Sequence, residues 1–192
     1  MEDGFEEAKT MDLAVVDDFL SELWEGYRPA KESELTTSPA TGVTQKKLTD
    51  LAVAMNTLPD GPKFFRKVKK LMNDRLAMVD RDQFDWAMGE MLAYASLLME
   101  GHPVRLSGQD VERGTFSHRH AVLKTEDAEE EWILLNELKK DQSRMAVYNS
   151  HLSEYAVSGF EYGYAFANPH GLTIWEAQFG DFNNGAQIMW DQ

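Results

Sequence analysis

Apolar residues recur at helical spacing near the start of the chain. Leu13, Val16, Phe19, Leu20, Leu23 and Trp24 fall three or four apart, which predicts an amphipathic helix within the acidic stretch 1–30. Residues 31–43, KESELTTSPATGV, are rich in Ser, Thr, Pro and Gly and read as a linker. Thr44 is placed to cap a helix running to Met55, and Pro59-Asp60-Gly61 supplies a turn. A third helix is predicted over about 62–79. It puts Phe65, Val68, Met72, Leu76 and Val79 on one face and Lys and Arg on the other.

The pattern changes at Phe84. Residues 84–99, FDWAMGEMLAYASLLM, predict a strongly apolar helix, capped by Asp82 or Asp85 and closed by Gly101. Three short strands follow at Val104–Gly108, Met145–Tyr148 and Leu172–Trp175, with a helix at about 153–167 between the last two. Helices alternating with strands predict an α/β fold with a mainly parallel sheet and flanking helices, preceded by a helical region. In such sheets chemistry gathers at the carboxyl ends of the strands. The residues placed there are Gln109 and Asp110, then Ser150 to Glu154, then Glu176 to Phe182. The last segment, FNNGAQIMWDQ, reads as a helix without a cap, from which we expect a piece of a longer protein.

Composition narrows the classes of function. The 192 residues are 43% hydrophobic and 27% charged, the balance of a globular protein with a sizeable core. A net charge of -14 argues against nucleic acid or an anionic membrane surface as partner, since both would repel it. With no cysteine, disulfides and thiolate metal sites are ruled out. The acidic opening MEDGFEEAKT lacks a signal peptide's basic start, and no run reaches the ~18 apolar residues of a membrane span. The expected location is the cytoplasm, or the mitochondrial matrix in a eukaryote.

Three strings then carry a family resemblance: VRLSGQDVERGTFSHRHAV (104–122), NSHLSEYAVSGFEYGYAFANP (149–169) and LTIWEAQFGDFNNGAQ (172–187). Together they resemble the transketolase-like, pyrimidine-binding domain of the thiamine-diphosphate-dependent first component of 2-oxoglutarate dehydrogenase. FDWAMGEMLAYASLL is similar to that domain's opening helix. The resemblance covers about residues 40–192. After the acidic helical or linker segment over 1–43, it implies a helical connector over 44–80 and the first part of the pyrimidine-binding domain over 81–192. It further implies thiamine diphosphate as cofactor, with Mg²⁺ and the diphosphate held by a domain outside this chain. The implied partners are a second subunit in a homodimer, a lipoyl-bearing succinyltransferase component, and 2-oxoglutarate as substrate. The alternatives left open are a pyruvate or branched-chain 2-oxo acid dehydrogenase, a transketolase-like relative, and a non-catalytic binding domain descended from one.

The same resemblance implies the site. Glu154 is the catalytic carboxyl, hydrogen-bonded to a ring nitrogen of the aminopyrimidine so that the imino tautomer can remove the thiazolium proton. Read from sequence alone, Glu154 is equally a helix-start carboxylate favoured by the macrodipole. Phe182, with Phe179 in reserve, is the implied stacking aromatic, and Gln109 and Leu152 are implied to line the same pocket. His118 and His120 are candidates near the substrate or ordinary loop histidines, and their i, i+2 spacing is a poor metal pattern, so no metal site is expected. Glu90 is either a subunit contact or a partly exposed helix carboxylate. The acidic run Glu126–Glu131 reads as a solvated connection, and Gly159 and Gly163 as close helix packing.

Overall fold

The computed structural model of the chain describes residues 4, 6, 8–10, 20–127, 130–178 and 185–191. Three helices come first: α1 (Gln45–Ala54), α2 (Arg66–Asp80) and α3 (Trp86–Met99). Strand β1 (Val104–Gly108) leads to a small antiparallel hairpin of β2 (Leu123–Lys124) and β3 (Glu131–Trp132). Then come β4 (Met145–Asn149), α4 (Glu154–Ala167), β5 (Leu172–Glu176) and the short α5 (Gln187–Trp190).

Helix starts follow side-chain capping, which satisfies orphan N–H groups of the first turn. Thr44 Oγ1 accepts from Lys47 N at 3.4 Å, Asp85 Oδ1 from Met88 N at 2.8 Å and Ser153 Oγ from Ala156 N at 3.3 Å. Asp85 rather than Asp82 therefore caps α3, while Asp82 turns the chain at φ 51. Helix α2 begins at Arg66, later than the apolar pattern predicts, because Phe64 is drawn into an isolated bridge with Thr125. As a result Phe64 is buried at 2% exposure, and Phe65, expected on the apolar face, stands 47% exposed at the helix start. In the first predicted helix, Leu13, Val16 and Phe19 lie outside the described residues. Ser21–Trp24 is a single 3₁₀ turn, and Trp24 at its end and Tyr27 beyond it donate to the carbonyls of Phe166, in the last turn of α4, and Pro169, just after it.

The three-stranded sheet is parallel throughout, in the order β4–β1–β5. Its central strand is buried on both faces except at Arg105, as a run of small and apolar residues requires. One face packs on α3 and α1: Met88, Met91, Leu92, Ala95 and Leu98 meet Val104, Leu106, Met145 and Val147, with Leu51, Ala52 and Met55 closing the layer. Helices of the connector thus share the core of the sheet. A second cluster joins Phe64 and Met72 to Leu123 and Leu134 of the hairpin region.

The opposite face, under α4, is organised by an ion pair instead. Arg105 Nε and Nη2 donate to the two oxygens of Glu161 at 2.7 and 2.8 Å, a bidentate geometry. The guanidinium also lies over the rings of Tyr148, Phe160 and Tyr164, at 4.7, 5.4 and 4.6 Å from their centroids. Among the described residues no helix is long and apolar enough to cross a membrane. Of the acidic connection after β2, Glu126, Asp127, Glu130 and Glu131 are exposed, with Lys63 at 3.4 Å from Asp127.

Two glycines give opposite expectations. Gly108, at φ +147, ends β1 where a Cβ would overlap the Glu176 carbonyl oxygen and meet Val111 Cγ1 at 2.9 Å. Gly163, expected to mark close packing, has open space around it, and that role falls to Gly159, where an added Cβ would lie 2.9 Å from Met189 Sδ. In chemical denaturation, Gly108→Ala should destabilise by at least about 1–3 kcal/mol through backbone strain and overlap. Gly163→Ala, exposed inside a helix, should instead stabilise by about 0.4–1 kcal/mol.

Candidate functional site

The carboxyl ends of the three strands lie side by side, since Gly108 is in register with both Asn149 and Glu176. Beyond β1, the Gly108 carbonyl accepts from Ser150 N at 2.7 Å, which ties the end of β1 to the turn leaving β4. That turn runs through Leu152, whose side chain is exposed, to the Ser153 cap and then Glu154, the first residue of α4. Gln109 Nε2 donates to Glu154 Oε1 at 2.7 Å. Among the described residues Glu154 Oε2 accepts no hydrogen bond. A cleft of about 400 Å³ opens beside this pair, lined by Gln109, Asp110, Asn149, Ser150, His151 and Leu152.

Gln109 donates to the Glu154 carboxylate as a neutral amide, so the contact adds no charge to the site. Glu154 is half-buried at the start of a helix, the end where the dipole favours negative charge.

The loop from Gln109 to His120 forms one wall and is conformationally strained. Asp110, Ser117 and His120 all sit in the left-handed region, at φ 55, 53 and 46. Arg113 braces the loop from within, donating to Asp110 at 2.9 Å and to Ser117 Oγ at 2.8 Å. From below, Arg119, only 2% exposed, donates to Glu90 Oε1 at 2.7 Å, Val111 O at 2.9 Å and Glu176 Oε1 at 3.2 Å, and also pairs with Glu176 Oε2. Tyr94 Oη adds a bond to Glu90 at 2.7 Å, and burial followed by that bond pushes the phenol well above its ordinary range. Glu90 is therefore held inside the chain by Arg119 and Tyr94. Burial and the Glu90 and Glu176 carboxylates pull in opposite directions on Arg119, and the carboxylates prevail, so its pKa is raised.

Of the expected site residues, the structure brings together Gln109, Glu154 and Leu152. Phe179 and Phe182 lie outside the described residues. Neither His118 nor His120 lines the cleft. His118 Nε2 is 3.8 Å from Glu90 Oε2, and His120 sits by Arg75 around a small cavity with Met55, Met72 and Met91. No group of metal-binding side chains occurs among the described residues. Sequence reasoning did not single out Arg75, Arg105 or Arg119. For Arg75 a signal existed, because it falls three residues after Met72 on the apolar stripe of α2.

Comparison with known proteins identifies the family. The family described as "Transketolase, pyrimidine binding domain" matches residues 82–192. A "2-oxoglutarate dehydrogenase E1 component" of Rickettsia felis is 50% identical over 175 residues, which is 91% of this chain and 18% of that protein. Proteins of the same description from Rickettsia conorii and Brucella ovis are 49% and 44% identical, with the same coverage of 91% and 18%. The chain therefore spans about a fifth of the length of these curated relatives.

The loop also predicts an acid response. Burial, reinforced by the Arg75 charge, lowers the His120 pKa below its ordinary 6.5, so the folded protein keeps this imidazole neutral. In the unfolded chain it protonates near 6.5, so its contribution to stability is intact above that pH and is lost as pH falls through the folded pKa. Thermal melts should show stability dropping between pH 7 and 5, and His120→Asn, which tolerates the left-handed backbone, should flatten that part of the curve. Parallel curves for the two proteins would exclude His120 as the source.

Proposed function

This chain belongs to the transketolase pyrimidine-binding domain family, and on that premise we propose that it forms the aminopyrimidine-gripping half of a thiamine-diphosphate site in a 2-oxoglutarate dehydrogenase. The observation that carries the reading is Glu154 beside the strand-end cleft, one carboxylate oxygen held by Gln109 and the other without a partner among the described residues. The names and identities of the relatives support the substrate.

In this reading Glu154 Oε2 meets a ring nitrogen of the aminopyrimidine and holds the proton shared with it. Gln109 keeps the carboxyl turned toward the cleft, Leu152 supplies an apolar surface on its rim, and Phe182, with Phe179 in reserve, stacks on the ring. When bound, thiamine diphosphate would supply the carbanion chemistry needed to decarboxylate a 2-oxo acid. The protein's part is to orient the ring and set its protons. Mg²⁺ and the diphosphate belong to a separate domain. We divide the chain into an acidic segment (1–43), a connector (44–80) and the pyrimidine-binding part (81–192). Tyr155, Phe160 and Tyr162 of α4, each about half exposed, are where we place the second subunit of a homodimer. A lipoyl-bearing succinyltransferase component takes the product, in the cytoplasm of a bacterium or in a mitochondrial matrix.

Two outcomes test the reading. With thiamine diphosphate, Mg²⁺, 2-oxoglutarate and an artificial electron acceptor, the 192-residue chain alone should give no turnover. Robust turnover would mean that the diphosphate half is not needed. In the assembled enzyme, Glu154→Gln should slow hydrogen–deuterium exchange at the cofactor's thiazolium carbon by at least about 100-fold, the scale of losing a positioned acid–base group. Its melting should change little, since a helix-start carboxylate contributes about 0.3–1 kcal/mol. Exchange at the unaltered rate would remove Glu154 from the mechanism.

A further inference from the structure

The strained 109–120 loop is also held from the connector. Arg75 lies on α2, in the stretch before residue 82 where the family match begins. It is 3% exposed, and its Nη2 donates to the carbonyls of His118 at 2.8 Å and Arg119 at 2.6 Å. Among the described residues no carboxylate pairs with it directly; Asp85 and Glu90 act on it only at longer range. Burial without an ion pair lowers its pKa. A leucine on this apolar stripe would pack without that desolvation cost, so stability is a poor reason for an arginine here.

What the arginine achieves is orientation. One nitrogen binding two consecutive carbonyls fixes the two peptide planes that flank Arg119, while Ser117 and His120 on either side are left-handed. Those planes set the direction in which the Arg119 side chain departs toward Glu90 and Glu176. Glu176 ends β5 in register with Gly108, the residue before Gln109. We propose that Arg75 is a positioning residue for the strand-end site, fixing the 117–120 loop so that Arg119 clamps the end of β5 beside Gly108 and Gln109. The connector helix is thereby a working part of the site. The functional half of this inference rests on the reading of the site given above, and the structural half stands on the contacts alone.

Arg75→Met, Arg75→Lys and the packing control Leu71→Ala test both halves. In the 192-residue chain, amide exchange is read at Arg119, His120 and Ala121, whose N–H groups bond to Arg113 O at 3.0 Å, Arg113 O at 3.0 Å and Glu112 O at 2.8 Å. Relative to α3 amides, Arg75→Met should speed their exchange by about tenfold, the worth of a lost buried hydrogen bond. Arg75→Lys, which keeps the charge and a donor, should recover part of the protection, and Leu71→Ala should leave the ratio unchanged. A ratio equal to wild type in Arg75→Met, or one reproduced by Leu71→Ala, overturns the proposal. If Arg75→Met does not fold, the intermediate ratio in Arg75→Lys decides in the same way.

In the assembled enzyme, Arg75→Met should lower kcat by about 3- to 30-fold, the usual range for coupling through a contact network, with KM for 2-oxoglutarate unchanged and Arg75→Lys between the two. A loosened loop with unaltered kcat overturns the functional half. Should Glu154→Gln prove fully active, the reading of the site fails, and the exchange ratios still decide whether Arg75 holds the loop.

Discussion

A buried guanidinium must find an oxygen for nearly every N–H, and Arg119 finds its oxygens on parts of the chain far apart in sequence. Glu90 comes from α3, the Val111 carbonyl from the loop after β1, and Glu176 from the end of β5. These elements must come together around one planar cation, so their relative placement is set by its geometry. With β5 held there, Gly108 can have no side chain, and Gln109 leaves β1 in the direction that meets Glu154.

A second arginine plays the matching part on the other side of β1. Arg105 faces α4 and binds Glu161 with both forks, with three aromatic rings around it. The central strand is thus flanked by polar anchors at Arg105 and Arg119 and by an apolar layer of α3 and α1. Apolar packing on α3 supplies bulk stability, and the ion pairs supply register. Neither would fix the carboxyl ends of the strands alone, because apolar contacts slide and ion pairs without a core stay hydrated.

Much of this was legible in the sequence. The Thr44 cap, the helix opening at about 153, the apolar run of α3 and all three parallel strands follow from local pattern, where spacing and side-chain chemistry agree. Glu154 and Gln109 were legible as residues at strand ends, and their 2.7 Å bond follows from parallel pairing that puts those ends side by side. What escaped was long-range and polar. Phe64 exchanged places with Phe65 because of a bridge to Thr125, a partner that no local window contains. Arg105 and Arg119 resemble surface charges in a one-dimensional reading, Arg75 is marked only by its place on an apolar stripe, and only the folded chain shows which carboxylates and carbonyls enclose them. Gly163 looked like Gly159 in spacing, and the neighbour that distinguishes them, Met189, comes from a distant segment.

The sheet order also dictates a history for each molecule. β1 is made before either of its neighbours, and its partners β4 and β5 are separated from it by the hairpin and by α4. While the chain is being synthesised, α1, α2 and α3 can pair locally, but one edge of the most buried strand stays open until Asn149, and the other until Glu176, has left the ribosome. Arg119 likewise waits for Glu176, having only Glu90 as a carboxylate partner. Assembly of the strand-end cleft therefore waits for all three strands, and between the synthesis of Gly108 and that of Glu176 the nascent chain carries an apolar strand with an unpaired edge, the kind of segment on which general chaperones act.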